Sequence, residues 1–240
     1  LDKQKNWGIR AVTFKDKAYP IGFRSVHQPP LYFFYKGNIS ALANKSIAII
    51  GTRNVTPYTE KIGHRMGEYA AENGWNVVSG LALGSDAAGH AGCLAGKGVT
   101  IAIVGTSLDK IYPRQNAALE KEILEKDGLI LSEYPLGALY SPSHFVERDR
   151  LQSGLANGVF VAATGETGGT WHAIHEASYV KKPLAFWDYR HDGHYDFRND
   201  SHTWGMDKME AMGATPIGTK DDVDGFLLRC HERFMKERSL

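Results

Sequence analysis

The chain has 240 residues, of which 42% are hydrophobic and 23% are charged. This ordinary globular composition excludes collagen-like, low-complexity and intrinsically disordered chains. Lys and Arg together number 28, against 27 Asp and Glu, which gives a formal net charge of +1. That balance argues against a protein that binds nucleic acid over its whole surface. A local basic pocket stays compatible with it, because net charge averages over patches.

Cysteine usage and the apolar pattern indicate a cytoplasmic protein. Cys93 and Cys230 lie far apart and fit neither a disulfide framework nor the spacing of zinc ligands, so we expect two reduced thiols. No apolar run approaches the roughly 18 residues of a membrane span. Residues 1–6 are polar and lack the apolar core of a signal peptide, so none is predicted.

The first part of the chain, residues 1–44, is predicted to form an N-terminal lead-in that packs on a main domain over residues 45–240. Proline-containing pairs at 19–20 and 29–30 interrupt this segment. Residues 31–35, with the sequence LYFFY, predict a short aromatic strand.

From residue 45 onward, short apolar runs alternate with segments of helical pattern. The runs predict strands at 46–50, 75–79, 99–104, 129–132, 158–162 and 183–187. The other segments predict helices at 57–72, 85–95, 117–126, 147–157, 170–180, 206–212 and 221–234. This alternation predicts an α/β fold with a mostly parallel sheet covered by helices on both faces. Ligands of such sheets bind outside the carboxyl ends of the strands.

A first candidate anion site is the segment Gly51, Thr52 and Arg53, directly after the strand 46–50. The helix start that follows should offer free backbone N–H groups and a partial positive charge. Thr52 can donate a hydroxyl hydrogen bond, and the Arg53 guanidinium suits a phosphate. These features favour a phosphate site, and an ordinary surface arginine after a turn is the alternative.

A second candidate anion site is the glycine-rich loop 164–170, which follows the strand 158–162 and leads into a helix. Gly168, Gly169 and Thr170 would present backbone N–H groups at that helix N-terminus. The loop is neither a P-loop nor a G-x-G-x-x-G fingerprint, because the required lysine and glycine spacing are absent. Glu176, further along the helix, is a candidate acid for nucleotide chemistry.

A third candidate site is the segment 145–150, which contains Phe145, Arg148 and Arg150. An aromatic ring beside two arginines has the composition of a site that stacks a base and binds the phosphates of single-stranded nucleic acid. The alternative is a helix start in which Asp149 and its neighbours form local ion pairs.

No metal site is predicted. Asp86 and His90 share a helix face at i, i+4. We interpret them as a capping carboxylate and a hydrogen-bonded histidine, because nothing local supplies a third ligand. The segment 188–202 has spacings that match no standard metal site and is interpreted as a solvated loop. Its relevant residues are Asp188, His191, Asp192, His194, Asp196, Asp200 and His202.

Taken in chain order, the sequence motifs resemble those of the DNA-processing protein A family (DprA, also called Smf) over almost the whole chain. The matching segments are IIGTR at 49–53, VSGLALGSDAAGH at 78–90, LDKIYP at 108–113, LSEYPLG at 131–137, FVERDRLQSGLA at 145–156, and DDV at 221–223. The aromatic lead-in at 31–38 is similar to that family as well.

The resemblance implies a Rossmann-like, doubly wound domain that binds single-stranded DNA in a basic pocket, without catalysis and without a cofactor. It also implies a homodimer and cooperation with RecA in recombination and natural transformation. Carried over by position, the DNA- or phosphate-binding residues are Gly51, Thr52, Arg53, Phe145, Arg148, Arg150, Gly168, Gly169 and Thr170.

The chain departs from the family pattern at several positions. Leu83 stands where an arginine is usual, Asp149 where an asparagine is usual, and Ala163 where a glutamate is usual. The usual basic residue shortly before Phe145 is missing. Fewer cations and one more anion in the pocket should weaken the affinity for DNA. We also expect a compact member of the family, in which no winged-helix domain follows the Rossmann-like region.

Two other functions stay open. One is a nucleotide-binding sensor or nucleotide-processing enzyme, since LOG-type phosphoribohydrolases carry a P-G-G-x-G-T-x-x-E motif that Gly168, Gly169, Thr170 and Glu176 partly match. The threonine-to-glutamate spacing differs from that motif, so this is the weaker hypothesis. The other is a protein-interaction module, such as a toxin's partner in phage defence, which the departures from the family pattern favour.

Overall fold

A computed structural model describes residues 8–191, 193 and 195–239. The described strands are β1 (Arg10–Thr13), β2 (Tyr32–Gly37), β3 (Ser46–Ile50), β4 (Asn76–Ser79), β5 (Thr100–Ile103), β6 (Leu129–Ser132), β7 (Gly158–Val161), β8 (Leu184–Trp187) and β9 (Thr215–Ile217). They form one sheet in the order β1-β2-β6-β5-β4-β3-β7-β8-β9. All neighbours from β6 to β9 along this order pair in parallel, so the predicted mostly parallel sheet is confirmed.

Seven α-helices lie within the described residues. They are α1 (Pro57–Glu72), α2 (Ser85–Ala95), α3 (Ala117–Glu125), α4 (Pro142–Leu155), α5 (Thr170–Tyr179), α6 (Met206–Ala211) and α7 (Lys220–Arg238). None of them is both long and apolar enough to cross a membrane. The predicted start of α4 at residue 147 is wrong, because the helix already begins at Pro142. Proline is tolerated in the first helical turn, where its missing N–H would have no helical partner.

The lead-in expected over residues 1–44 contributes two antiparallel strands to one edge of this sheet. β2 pairs with β6, and β1 pairs with β2. The described part of the lead-in therefore shares the sheet of the main domain. Its aromatic strand packs Phe33 into the core, where the Phe33 ring meets Phe23 edge-on at 5.7 Å between centroids.

The strand order reverses at β3. The strands β4, β5 and β6 lie on one side of it, and β7, β8 and β9 lie on the other. The connections that follow β3 and β7 at their carboxyl ends therefore run in opposite directions and leave a crevice between them. In this fold the crevice lies beyond Ile50 and Val161, which end the two strands. It is the expected position for a ligand.

The helices α1 and α2 pack closely enough to exclude side chains at several points. A Cβ on Gly92 would overlap the carbonyl oxygen of His64, and a Cβ on Gly67 would overlap that of Gly89. We expect Gly92→Ala to lower the free energy of unfolding by about 1–3 kcal/mol, because the two backbones cannot separate without disturbing the core. Urea unfolding would measure this effect.

Gly225→Ala is the matched control for this prediction. Gly225 also lies within a helix, α7, but its added Cβ would meet only the Arg229 side chain, at 3.9 Å. Alanine there should be neutral or raise the free energy of unfolding by about 0.5–1 kcal/mol, because it favours the helix more than glycine does. Equal losses in the two variants would show that close helix contact is not the cause.

Candidate nucleic-acid interface

A cleft of about 750 Å³ opens at the point where the strand order reverses. We call it the switch-point cleft. Its walls are the loop 51–54 after β3, the loop 164–170 after β7 and the first turns of α4, and residues from the loop before α6 complete it. Of the predicted site residues, it brings together Gly51, Thr52, Arg53, Phe145, Arg148, Gly168, Gly169 and Thr170.

The loop after β3 is held by its own hydrogen bonds. The Thr52 N–H donates to the Ala163 carbonyl at 2.8 Å, and Thr52 Oγ1 accepts from the Asn54 N–H at 3.1 Å. Gly84 has φ +78°, and a Cβ there would stand 2.5 Å from the Thr52 carbonyl oxygen. The Thr52 N–H is therefore already used, whereas its hydroxyl hydrogen remains able to donate to a ligand.

The N-terminus of α1 does not supply the free N–H groups that the sequence led us to expect. Thr56 and Thr59 form a reciprocal capping box, with N···Oγ1 distances of 3.2 and 2.9 Å. Thr56 lies outside the cleft. Gly51 instead turns the chain: a Cβ there would stand 2.7 Å from the Ala163 carbonyl oxygen, so glycine allows the loops after β3 and β7 to meet.

Arg53 is the exposed cation of the cleft. Within the described part of the chain, its guanidinium has neither an ion pair nor a hydrogen bond. Its Cζ lies 5.7 Å from the centroid of the Phe145 ring, a cation–π distance that holds the guanidinium at the mouth of the cleft. Because no described carboxylate forms an ion pair with it, Arg53 is able to bind a phosphate.

The loop after β7 presents open backbone to the cleft. Gly168 has φ +121°, and apart from its chain neighbours no described residue comes within 4 Å of the position of a Cβ on Gly168 or Gly169. Gly169 precedes Thr170, the first residue of α5, and no described side chain caps this helix N-terminus. The Trp171 and His172 N–H groups donate to the Gly168 and Gly169 carbonyls at 3.3 and 3.0 Å, so the Gly169 and Thr170 N–H groups and the helix dipole are what favour an anion here.

Arg148 forms the floor of the cleft and is only 3% exposed. Its Nη1 lies 3.6 Å from Asp86 Oδ2, and its Nε lies 3.4 Å from Asp149 Oδ1. Among the described residues, neither nitrogen has a hydrogen-bond partner. A Cβ on Gly80 would overlap Nη1, so this glycine makes room for the guanidinium. Buried donors without hydrogen-bond partners are costly, and the positive charge of this guanidinium would attract a phosphate bound above it in the cleft.

The two carboxylates beside Arg148 oppose that phosphate. Burial raises the pKa of Asp149 to about 7, although Arg148 acts in the other direction. Burial also raises the pKa of Asp86. The charge on the floor of the cleft therefore changes near neutral pH. The replacement of the usual asparagine by Asp149 gives this chain a titrating group in the cleft.

The predicted placement of Arg150 in the same site is wrong. Its Nη1 and Nη2 bind the carboxylate of Glu133 at 2.7 and 2.8 Å, and its Nε donates to the Gln28 carbonyl at 3.0 Å. It lines a separate groove with Tyr134. Two residues along an α-helix correspond to about 200° of rotation, so Arg148 and Arg150 point to opposite sides of α4.

Glu176, the candidate acid of the nucleotide-enzyme hypothesis, also lies outside the cleft. It is buried in the groove of Arg150, where its Oε1 accepts the His27 N–H at 2.7 Å. An acid held there does not face the loop 164–170. The geometry therefore does not support a phosphoribohydrolase site in the cleft.

The remaining polar clusters are structural. Asp86 Oδ2 accepts from the Gly80 N–H at 3.1 Å, and His90 Nδ1 lies 2.6 Å from Thr100 Oγ1. Burial lowers the pKa of His90 to about 3, which keeps it neutral. Over the described ranges, no group of three or more His, Cys, Asp or Glu side chains could hold a metal ion. Asp192 and His194 of the predicted solvated loop lie outside the described residues.

Sequence reasoning missed Tyr140, which lines the cleft beside Phe145. The two ring centroids are 5.5 Å apart, and Tyr112 adds a third ring 5.2 Å from Phe145. Tyr112 belongs to the motif LDKIYP, but nothing in that motif predicts that its ring lies beside Phe145. No local pattern singles out Tyr140.

Comparison with known proteins agrees with this geometry. The DNA processing protein DprA of Bacillus subtilis is 34% identical over 178 residues, which cover 74% of this chain and 60% of that protein. The DprA of Streptococcus pneumoniae is 36% identical over 155 residues, which cover 65% of this chain and 54% of that protein. The chain thus spans 60% or less of the length of these curated relatives.

Solved structures give the same result. The X-ray structure of DprA from Streptococcus pneumoniae superposes with a TM-score of 0.82 at 28% identity, covering 94% of this chain and 77% of that one. DNA processing protein A from Helicobacter pylori, which was studied for its single-stranded DNA binding mode, gives a TM-score of 0.78 at 28% identity, with coverages of 91% and 96%. The family model of DNA recombination-mediator protein A matches residues 10–226. This chain belongs to the DNA recombination-mediator protein A family.

Proposed function

We propose that this chain binds single-stranded DNA in the switch-point cleft and acts in DNA processing and recombination. The observation that carries the proposal is that Arg53, which forms no ion pair with a described residue, and the N-terminus of α5 face the same cleft as Phe145. Groups that bind phosphate and a ring that stacks a base are the combination that single-stranded nucleic acid requires. The relative from Helicobacter pylori, studied for its single-stranded DNA binding mode, supports this ligand.

Single strands fit the cleft better than duplexes. Stacking on Phe145 requires an unpaired base, whereas the bases of a duplex are already stacked on each other. Arginine and backbone N–H groups bind phosphates without reading sequence. We therefore propose binding that tolerates many sequences and weakens as salt increases.

The proposed function includes no catalytic step and no cofactor. Asp86 and Asp149, the buried carboxylates of the cleft, lie against the Arg148 guanidinium. Glu176, which a nucleotide hydrolase of the type considered would need near the phosphate loop, binds the His27 backbone elsewhere. The family's description as a recombination mediator supports a binding function.

We also propose a cytoplasmic homodimer that cooperates with RecA during recombination, including natural transformation. The family's description as a recombination mediator supports the RecA partnership, and the dimer is what the family resemblance implies. The free, buried thiols of Cys93 and Cys230 support a reducing compartment. Sedimentation at several protein concentrations tests the dimer, and RecA filament formation with and without this protein tests the partnership.

Arg53→Ala should weaken binding of an oligo-dT about tenfold, because one charge-assisted phosphate contact is lost. The slope of log affinity against log salt should also become shallower by about 0.7. Fluorescence anisotropy titrations at two salt concentrations measure both quantities.

Arg65→Ala is the matched control for this experiment. Arg65 is an exposed arginine on α1 that lines a different hollow, so its loss changes the net charge equally without touching the cleft. Its affinity and salt slope should stay close to those of the wild type. Equal losses in the two variants would contradict a specific site and indicate attraction by net charge alone.

A further inference from the structure

Three aromatic rings form a cluster at the mouth of the switch-point cleft. The centroids of Tyr112, Tyr140 and Phe145 are 5.2, 5.4 and 5.5 Å apart. Tyr112 is 41% exposed and Tyr140 is 54% exposed. Rings of this size are usually covered in a folded protein, so an exposed group of them marks a surface that binds something flat and apolar. We call these three residues the aromatic cluster.

The aromatic cluster separates the cleft from a second hollow of about 640 Å³. Phe145 lines the cleft, Tyr112 lines the second hollow, and Tyr140 lines both. Arg53 approaches the Phe145 ring from the cleft side. A strand whose phosphates lie at Arg53 would therefore pass directly over the aromatic cluster before it reaches the second hollow.

The second hollow contains buried polar groups that the fold leaves unsatisfied. Thr106 is only 6% exposed, and its Oγ1 has no hydrogen-bond partner within the described residues. Asp109 is half-buried, and its Oδ1 also has no hydrogen-bond partner among these residues. Buried polar atoms are normally paired, so a ligand that bonds to these two atoms would remove an energetic cost.

The charges in this hollow are divided between its interior and its rim. The nearby Ser107 side chain lowers the pKa of Asp109, so this carboxylate is ionised at neutral pH. Lys110 and Arg114 are exposed on the rim. Lys110 Nζ donates to the Ala138 carbonyl at 3.0 Å, and Arg114 has no ion pair or hydrogen bond to any described residue.

This division selects which part of a nucleotide can enter. An ionised carboxylate in the interior repels a phosphate but accepts a hydrogen bond from the exocyclic amino group of a base. The hydroxyl of Thr106 can bond to a base edge in the same way. The cations of the rim remain available for the phosphates outside.

We propose that the second hollow is a nucleobase subsite, in which an unpaired base with an exocyclic amino group stacks on Tyr140 and Tyr112 and donates to Asp109. The phosphates of the same strand stay outside, at Lys110 and Arg114. The proposal rests on the proposed function, because the strand is the one that occupies the switch-point cleft. It extends the path of that strand beyond Phe145.

A fluorescent base reports stacking on the aromatic cluster. The probes are oligo-dC strands that each carry one 2-aminopurine, placed at a different position in each strand. Each strand is bound to wild type, Tyr140→Phe and Tyr140→Leu. At one position, the emission of the complex should be lower for wild type and Tyr140→Phe than for Tyr140→Leu, because only the leucine variant lacks the ring. Tyr179→Leu, which removes an exposed tyrosine from the groove of Arg150, should match wild type.

Base preference reports the hydrogen bond to Asp109. Wild type should bind oligo-dC about fivefold or more tightly than oligo-dT, because thymine has no exocyclic amino group. Asp109→Ala should bring the two affinities together without weakening the binding of oligo-dT. Anisotropy titrations with both strands measure the ratio.

Failure of the nucleobase subsite can be distinguished from failure of the proposed function. If wild type binds neither strand, the proposed function fails and the subsite fails with it. If Arg53→Ala weakens binding but Tyr140→Leu leaves the emission unchanged and Asp109→Ala leaves the ratio of affinities unchanged, the subsite is overturned while the proposed function stands.

Discussion

Asp149→Asn should raise the affinity for single-stranded DNA about tenfold at pH 8 and remove most of the pH dependence of binding. The pKa of Asp149 is raised to about 7, chiefly by burial. Ionised, Asp149 repels a phosphate on the floor of the cleft and competes with it for Arg148. Asparagine keeps the shape of the side chain and carries no charge.

The direction of the pH dependence follows from that pKa. With a pKa of about 7, the neutral fraction of Asp149 rises from about one tenth at pH 8 to about nine tenths at pH 6. If the strand binds only the neutral form, wild-type affinity should rise about tenfold over this interval. Anisotropy titrations of wild type and Asp149→Asn at several pH values measure the effect.

Two comparisons make this prediction specific. Asp127→Asn removes an exposed carboxylate at the turn before β6 and should behave as wild type at every pH. Asp86, whose pKa burial also raises, is retained in Asp149→Asn, so we assign any pH dependence that remains in this variant to Asp86. Wild-type affinity that is constant from pH 6 to pH 8 would contradict the assigned role of Asp149.

Arg148→Met should lower the free energy of unfolding by about 3–5 kcal/mol at neutral pH, because it leaves Asp86 and Asp149 buried without their cation. Methionine fills much of the same volume and carries no charge. Urea unfolding measures the change, with wild type as the reference.

The decrease in the free energy of unfolding caused by Arg148→Met should become smaller as pH falls. The pKa values of both carboxyls are raised in the folded protein, so the folded state holds protons that the unfolded state releases, between about pH 4 and 7 in the case of Asp149. Protonation removes the uncompensated charges, and stability is recovered toward pH 5. A loss below about 1 kcal/mol at both neutral and acidic pH would contradict a structural role for Arg148.

Arg148 both attracts a phosphate in the cleft and compensates two carboxylates of the fold, and this affects how variants of the cleft are interpreted. Loss of DNA binding in Arg148→Met would combine a lost phosphate contact with a disturbed floor of the cleft. Arg53 is exposed and unpaired within the described residues, so its removal changes the phosphate contact with little effect on folding. Arg53→Ala is therefore the cleaner probe of the ligand.

Much of the fold is contained in local sequence pattern. The apolar run at 46–50 coincides with β3, and the proline and glycine signals around α1 mark its ends. The sequence pattern places the start of α4 too late, because proline usually signals a loop, although Pro142 also suits a first helical turn. The strand order has no local signal, so the position of the cleft between β3 and β7 required the structure.

The candidate site was only partly predictable, for two physical reasons. The loops 51–53 and 168–170 were found because loops at the carboxyl ends of parallel strands bind ligands. The separation of Arg148 from Arg150 follows from helix geometry and could have been derived from the sequence. The burial of Arg148 against Gly80 and the position of Tyr140 depend on contacts between distant segments, which no local pattern encodes.

The most direct test of the central claim locates the bound strand. A single-stranded oligonucleotide containing 5-iododeoxyuridine is crosslinked to the protein by light, and the modified peptides are identified by mass spectrometry. Because this base reacts with aromatic side chains that it contacts, binding in the switch-point cleft predicts crosslinks to Phe145 and Tyr140. Crosslinks confined to Tyr134 and Tyr179, in the groove of Arg150, would contradict the account.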